Sequence, residues 1–196
     1  MNPPERGRLL VAAPSLVDPN FFRTVVLLLA CDEDGALGVV LNRPSDMPLA
    51  EIVPSWALHA SEPGVLFSGG PVQPNAAICV GHTAGGLESL ETTLEGLEGD
   101  LEGYSPLTGT IGTVDLHREP EELAVSFAGL RVFKGYAGWG RGQLDDEIAD
   151  DAWFVVDGRP EHILTPEPEG LWEAVLREEG GWLSVLARHP LDPSLN

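Results

Sequence analysis

Positive charge is scarce in this chain. Its 196 residues include 11 Lys and Arg against 31 Asp and Glu, a formal net charge of −20, and Lys134 is the one lysine. Proteins bind nucleic acids and anionic lipids largely through cations that neutralise phosphates, so a chain of this charge repels both. The sequence also shows no helix-turn-helix pattern with a basic recognition helix. We therefore expect no direct nucleic-acid partner.

Cysteines and long apolar runs are also few. Cys31 and Cys79 are the two cysteines, and they form no C-x-x-C pair. This pattern excludes a disulfide scaffold and favours a reducing compartment, so we expect a cytoplasmic protein. The longest apolar run, 25–31, is far shorter than the roughly 20 residues that a membrane-spanning helix needs. The apolar stretch near the start is too short for a secretory signal, and we expect no membrane association.

The sequence patterns of catalytic and metal sites are absent as well. There is no G-x-S-x-G, no H-x-x-x-H and no nucleotide loop of the G-x-x-x-x-G-K-[ST] type, and the five histidines are scattered. Cys31 is followed by acids, which disfavour a thiolate. Paired carboxylates such as Asp145 with Asp146 are expected on the solvated faces of so acidic a chain. We predict no catalytic residue, no metal site and no cofactor.

What the sequence does contain is enough apolar material for one core. The apolar fraction of 43% is typical of folded proteins, and 196 residues suit a single domain. Short apolar runs bounded by turn residues predict strands over 8–13, 24–30, 37–41, 64–68, 76–80, 110–116, 130–133 and 153–156. Apolar spacing and prolines at first-turn positions predict helices over 48–56, 119–127, 143–150, 168–179 and 182–188. The predicted fold is a mixed β-sheet flanked by helices, of α/β to α+β class.

The stretch 85–104 has a different pattern. Leucines and glutamates recur there together at spacings of three and four, which on a helix would give an apolar seam beside an acidic one. Gly96, Gly99 and Gly103 weaken such a helix, because each glycine costs about 1 kcal/mol relative to alanine. We interpret 85–104 as an acidic surface excursion of the single domain, 1–196.

Three separated segments together resemble the YqgE/AlgH family of bacterial proteins. They are GRLLVAAPSLVDPNFFRTVVLL at 7–28 with DGALGVVLNRP at 34–44, SGGPV at 68–72, and GYAGWGRGQLDDEI at 135–148 followed by the Trp153 strand and Leu171-Trp172. The resemblance covers most of the chain and implies one domain with a mixed central sheet. It is a family of unknown function whose name carries the label of a transcriptional regulator of alginate production. Cys31 stands where family members often carry histidine.

Two of these segments carry candidate site residues. Asn42-Arg43-Pro44 follows a buried strand, where an arginine can hold a carboxylate or phosphate, and the Gly-rich run 135–142 reads as a loop before a helix. Because ligands of α/β sheets bind where strand ends and Gly-rich loops converge, we predict one shared cleft. Its hypothetical ligand-binding residues are Asn42, Arg43, Gly69, Gly70, Tyr136, Gly138, Trp139, Gly140 and Gln143.

A structural interpretation of the same residues stays open. Tyr136 and Trp139 can fill the core while the glycines shape a turn, and Arg43 can pair with an acid such as Asp145 or Glu147. For function we predict noncatalytic binding of a small ligand or a partner protein, with a regulatory role. The alternative is an enzyme that acts on a small anionic or acyl substrate at the cleft between the Asn-Arg-Pro turn and the Gly-rich loop. Direct regulation of transcription is a third possibility, which the charge disfavours.

Overall fold

Strands dominate the fold. A computed structural model describes residues 2–85, 103–123 and 125–188, and ten strands within these ranges join one curled sheet. The strands are β1 (Leu9–Ala12), β2 (Val25–Asp32), β3 (Gly35–Val40), β4 (Pro44–Pro48), β5 (Val65–Ser68), β6 (Val72–Thr83), β7 (Tyr104–Thr108), β8 (Ile111–Val114), β9 (Phe127–Gly140) and β10 (Trp153–Val156). The helices are α1 (Pro54–Ala57), α2 (Gln143–Ala149), α3 (Pro160–Ile163), α4 (Leu171–Glu179) and α5 (Leu183–Leu186).

The sheet is mixed, as the sequence predicts. Its path runs β10-β1-β2-β3-β9-β6-β8-β7, with antiparallel pairing at each step. The exception lies off this path, where β5 pairs with β9 in parallel and carries β4 on its other side. Helices α4 and α5 pack on one face of the β1–β2 region, and α2 packs on the other. The predicted sheet flanked by helices is confirmed.

Strand β1 and the first half of β2, residues 25–28, are buried on both faces, whereas Ala30 and Asp32 in the second half of β2 are exposed. Leu9 and Leu27 belong to the core beneath α4, whereas Leu10 and Val26 belong to the core beneath α2. This alternation follows from the two-residue period of a strand. The predicted hairpin between β2 and β3 is also confirmed, with Asp32 paired to Gly35 across a short turn.

The Gly-rich run 135–142 is wrongly predicted as a loop. Most of it belongs to β9, in which Gly140 pairs with Gly35 of β3. Burial alternates along this strand, with Ala137 and Trp139 inside and Gly138 outside. Because Gly138 and Gly140 occupy outward positions that would otherwise carry polar side chains, a hydropathy pattern does not show the two-residue period. The run therefore extends the central strand, and only its last two residues turn towards α2.

Glycines permit a close backbone contact where the end of β5 meets β9. The Gly69 N–H donates to the Lys134 carbonyl at 2.8 Å, and the Gly69 carbonyl accepts from the Val40 N–H at 2.9 Å. A Cβ on Gly69 would lie 2.3 Å from the Gly135 carbonyl oxygen, and one on Gly70 would lie 2.2 Å from the Tyr136 carbonyl carbon. These positions shape the backbone, because no larger residue fits them.

Two predicted helices are wrong. The segment 48–56 forms a 3₁₀ turn, Leu49–Glu51, and Pro54 then opens α1 instead of ending a helix, because the first turn tolerates its missing N–H. In the segment 119–127, the described residues form only the 3₁₀ turn Pro120–Glu122. Phe127 then pairs with Thr83 in the sheet, so the β9 ladder overrides the local helix signal.

The remaining predicted helices agree with the structure. The helices predicted over 143–150, 168–179 and 182–188 are confirmed as α2, α4 and α5, the second preceded by a 3₁₀ turn, Pro168–Gly170. Within the described ranges no helix has the length and apolar character needed to cross a membrane. The acidic excursion falls largely on 86–102, outside the described residues.

Gly70→Ala tests the backbone contact between the end of β5 and β9. The added methyl group would enter space held by the Tyr136 backbone, at a φ of 150°, so we expect the free energy of unfolding to fall by at least about 2 kcal/mol. Gly64→Ala is the matched control, because nothing lies within 4 Å of its added Cβ, and it should change stability by less than about 0.5 kcal/mol. Urea denaturation measures both; equal stability of the two variants would contradict the contact.

Candidate ligand-binding site

The Glu147 carboxylate of α2 accepts hydrogen bonds from several side chains near the end of β9. Its Oε2 accepts the indole N–H of Trp139 at 2.9 Å and that of Trp153 at 2.8 Å. Its Oε1 accepts from Nε2 of Gln143 at 2.9 Å, and Oε1 of Gln143 accepts the Gly140 N–H at 3.1 Å. Both indoles are buried, so this end of the strand belongs to the core. The polar groups of Trp139 and Gln143 are satisfied within the protein.

The Asn42 side chain joins the Asn-Arg-Pro turn to the backbone at the start of β2. Its Oδ1 accepts the Val25 N–H at 3.0 Å, and its Nδ2 donates to the Arg23 carbonyl at 2.8 Å. The residue is only 5% exposed, so these bonds form away from water. Breaking them would leave buried polar groups unpaired. Asn42 therefore positions the backbone at Arg23.

Arg23 has an uncommon backbone conformation beside Trp172. Its φ of 53° lies in the left-handed region that residues other than glycine rarely occupy. Its guanidinium lies 4.5 Å from the Trp172 ring centroid and 3.9 Å from Oε1 of Glu173. The Trp172 indole N–H donates to the Ala12 carbonyl at 2.8 Å, which fixes the ring. Backbone strain of this kind clusters at ligand sites, so Arg23 is a candidate binding residue.

Arg43 lines the same cavity as Arg23. Its Nη2 donates to the Phe22 carbonyl at 2.6 Å. No carboxylate in the described part of the chain lies within 4 Å of its guanidinium. The predicted pairing of Arg43 with Asp145 or Glu147 is therefore wrong, since the Glu147 carboxylate binds the two indoles instead. A guanidinium carries five N–H donors, so Arg43 retains donors for a ligand.

The cavity that contains both arginines has a volume of about 450 Å³. Two carboxylates also line it, those of Glu169 and Glu173. Glu173 is held by cations on two sides, because Nη2 of Arg177 lies 2.7 Å from its Oε2 while Arg23 lies near its Oε1. Glu169 is exposed at the rim. We call this space, with Arg23 and Arg43 as its defining residues, the arginine cavity.

A second cavity of about 560 Å³ adjoins the arginine cavity, and Pro44 and Glu169 line both. Prolines form much of its wall, so we call it the proline groove; they are Pro44, Pro63, Pro166 and Pro168. Beneath it lies Arg131, which donates from Nη2 to the carbonyls of Glu62 at 3.0 Å and Thr165 at 2.7 Å. These carbonyls directly precede Pro63 and Pro166. The same buried cation therefore anchors both sides of the groove.

The predicted single cleft is not formed. Gly35 pairs with Gly140, and β3 runs from there to Val40, about 17 Å at 3.3 Å per residue. Arg43 follows three residues later, so its side chain cannot reach Gln143. The error arises because the run 135–142 is mostly strand and leads away from the Asn-Arg-Pro turn.

The nine candidate residues therefore divide into separate places. Arg43 and Gly70 line a small cavity of about 220 Å³, whereas Tyr136, Gly138 and Trp139 line a shallow surface over β3 and β9. Gly69 is buried against the Gly135 backbone. A binding role for any of these residues stays a prediction.

Sequence reasoning missed Arg23 and Trp172 as site residues. A signal for Arg23 was available, since it lies two residues before the start of β2 and Arg43 lies three residues after the end of β3. A hairpin brings those two open ends together, and Val26 indeed pairs with Val40. Trp172 belongs to the third segment that carries the family resemblance, but nothing in the sequence indicates its contact with Arg23, which joins segments far apart in the chain.

Elsewhere in the described part of the chain, the titratable groups give no sign of an activated thiol or a metal centre. Burial raises the pKa of the Cys79 thiol, and burial together with the nearby Asp145 and Asp32 raises that of Cys31, so both disfavour the reactive thiolate. In the ranges that the structure covers, no three His, Cys, Asp or Glu side chains come together as metal ligands.

Known proteins resemble this chain along nearly its whole length. The family model of AlgH-like proteins, DUF179, matches residues 9–184. The chain belongs to the AlgH-like family. A UPF0301 protein of Streptomyces coelicolor is 50% identical to it over 97% of this chain and 94% of its own. A UPF0301 protein of Mycobacteroides abscessus is 40% identical over 97% of this chain and 87% of its own.

Two solved structures share the AlgH-like fold. The crystal structure of protein DIP2367 from Corynebacterium diphtheriae has a TM-score of 0.85 and 31% identity, covering 95% of this chain and 93% of that one. The solution structure of AlgH from Pseudomonas aeruginosa has a TM-score of 0.61 and 26% identity, covering 98% of each chain. The family's function is uncharacterised, so a function for this AlgH-like chain must come from its own site geometry.

Glu147→Ala tests the carboxylate shared by two indoles of this AlgH-like protein. Two buried N–H groups would lose their acceptor, at about 1–3 kcal/mol each, so we expect a loss of about 2–4 kcal/mol in unfolding free energy and a shift in tryptophan emission. Glu179→Ala, an exposed acid at the end of α4, is the control and should stay within about 0.5 kcal/mol of wild type. Urea denaturation followed by fluorescence reports both quantities. A stable Glu147→Ala protein with unchanged emission would refute this role.

Asn42→Ala tests the two hydrogen bonds that join the Asn42 side chain to the backbone of Val25 and Arg23. The Val25 N–H would lose its acceptor in a buried setting, which should cost about 1–3 kcal/mol of stability. Amide hydrogen exchange at Val25 should accelerate in Asn42→Ala and stay unchanged in Asn75→Ala, which alters an exposed position. If the Val25 amide exchanges as slowly in Asn42→Ala as in the wild-type protein, the Asn42 hydrogen bonds do not hold this backbone in place.

Proposed function

We propose that this protein is a noncatalytic binding protein that takes a small anionic ligand in the arginine cavity. The observation that carries the proposal is Arg43, a half-buried cation with no carboxylate within 4 Å among the described residues. In a chain with 31 acids and 11 Lys and Arg, an acid could readily have been placed beside it. A ligand carboxylate or phosphate can accept the N–H donors of Arg43 that Phe22 does not use.

The cavity is arranged before any ligand enters. Asn42 fixes the backbone of Arg23, the Phe22 carbonyl fixes one nitrogen of Arg43, and the Trp172 ring supports the Arg23 guanidinium. Groups that are already held in place lose less conformational entropy on binding. The volume of about 450 Å³ falls within the range of small-molecule sites. These features support a specific ligand site.

The groups that face the cavity favour binding over catalysis. Guanidinium groups keep their protons near neutral pH, so the two arginines are poor acids and bases. None of the described residues that line the cavity is a histidine, cysteine or serine. The alternative of an enzyme acting on a small anionic or acyl substrate would depend on Glu169, a rim carboxylate that is not held between two arginines.

The proposal includes a cytoplasmic location and a regulatory role exerted through the ligand. Free cysteines at 31 and 79 fit a reducing compartment. The net charge of −20 opposes contact with DNA, so regulation would proceed through a ligand or a partner protein.

Arg43→Gln tests the proposal, with acetate and inorganic phosphate as probes at constant ionic strength. We expect the melting temperature of the wild-type protein to rise with probe concentration. Arg43→Gln should lower the affinity at least about tenfold, because a charge-assisted hydrogen bond contributes about 1.5–3 kcal/mol. Arg141→Gln makes the same charge change at an exposed position and should bind like wild type. Equal affinity of Arg43→Gln and wild type, or no binding of either probe, would refute the proposal.

Glu169→Gln provides a second test on the same cavity. Its carboxylate lines the site and repels an anion, so neutralising it should raise the affinity for both probes severalfold. Glu167→Gln, which lines only the proline groove, is the control and should have a smaller effect. Isothermal titration calorimetry gives the affinities, and a lower affinity in Glu169→Gln would mean that Glu169 contacts the ligand directly.

A further inference from the structure

The proline groove continues the arginine cavity but has a different chemical character. The two spaces share Pro44 and Glu169, so one ligand can occupy both. Proline rings present CH₂ groups and no N–H donor, and Val65 adds further apolar surface. A ligand part that lies in this groove is therefore recognised mainly through apolar contact.

The groove walls are held firmly in place. Arg131 is 2% exposed and donates to the carbonyls of Glu62 and Thr165, which precede two of the groove prolines, and to that of Ile163 at 3.0 Å. Its guanidinium also lies 4.2 Å from the centroid of the Phe67 ring. Because one buried residue anchors both walls, the groove is a formed feature of the fold.

We propose that the ligand of the arginine cavity carries an apolar chain that extends into the proline groove. Its chemical class is a single anionic head, a carboxylate or a phosphate monoester, on an alkyl or acyl chain. The inference rests on the proposed function, because Arg43 binds the head. Charge sets the orientation: the arginines lie at one end, whereas Glu167 lines only the groove and opposes a second anionic group there.

The length of the chain should set the affinity. Complete burial of one methylene group raises affinity about fourfold, and partial burial in an open groove about twofold. Octanoate, with six more methylenes than acetate, should therefore bind at least about 50-fold more tightly. A site for the anionic head alone predicts the same affinity for every chain length.

The experiment titrates the full chain with acetate, butyrate, hexanoate and octanoate below their micelle concentrations, with n-octyl phosphate and n-octanol as further probes. Gly170→Leu narrows the groove at a position where nothing lies within 4 Å of an added Cβ, so it should fold. Val65→Ser is a second test variant, because it replaces an apolar side chain in the wall of the groove with a smaller polar one. Val17→Ser makes the same change at an exposed position, 76% accessible, and serves as the control.

The expected result is an affinity that rises with chain length in wild type and Val17→Ser. In Gly170→Leu and Val65→Ser the rise should flatten while acetate binding persists, and the tighter of octanoate and octyl phosphate identifies the head group. Short anions that bind as tightly as octanoate would overturn the apolar inference and leave the proposed function standing. Absence of binding by every anion would overturn both. Octanol that binds as tightly as octanoate, and equally well to Arg43→Gln, would also overturn the inference.

Discussion

A buried guanidinium on the central strand ties the sheet to the walls of the candidate site. Arg131 lies in β9, which pairs with β3, β5 and β6, and its donors hold carbonyls on both sides of the proline groove. Burial of a cation is costly unless its N–H groups find acceptors. Three carbonyls accept from Nη1 and Nη2 of Arg131, whereas its Nε has no acceptor among the described residues. Burial lowers the pKa of Arg131 to about 10, so the side chain stays charged at neutral pH and its donors remain available.

The segments that carry the family resemblance have two different roles: some residues pack the fold, and others line the candidate site. Gly69, Gly70 and Trp139 shape backbone and fill the core, and their surroundings leave little room for substitution. Asn42 and Arg43 instead lie at the open end of the β2–β3 hairpin, where they meet Arg23. The glycines therefore mark a close backbone contact between β5 and β9. The candidate site lies instead at the Asn-Arg-Pro turn.

Local sequence was sufficient for much of the fold and for part of the site. The strands around β1, β2 and β3 contain continuous apolar runs, and the burial of β1 and of the first half of β2 on both faces follows from this composition. The extension of β9 was hidden because glycine at outward positions removes the polar half of the alternation. The helix signal over 119–127 was real but weaker than pairing between Phe127 and Thr83. Arg43 was predictable from its strand end, whereas the Arg23–Trp172 contact depends on the folded chain.

NMR can localise an anion bound between Arg23 and Arg43. In a titration of ¹⁵N-labelled protein with inorganic phosphate at constant ionic strength, we expect saturable shifts in the backbone signals of Phe22, Arg23 and Arg43 and in the Trp172 indole signal. The signals of Trp139 and Gln143 should stay unchanged, since those residues lie beyond the reach of the cavity. Shifts concentrated in β9 and α2, with no change in the signals of Arg23 and Arg43, would contradict anion binding in the arginine cavity.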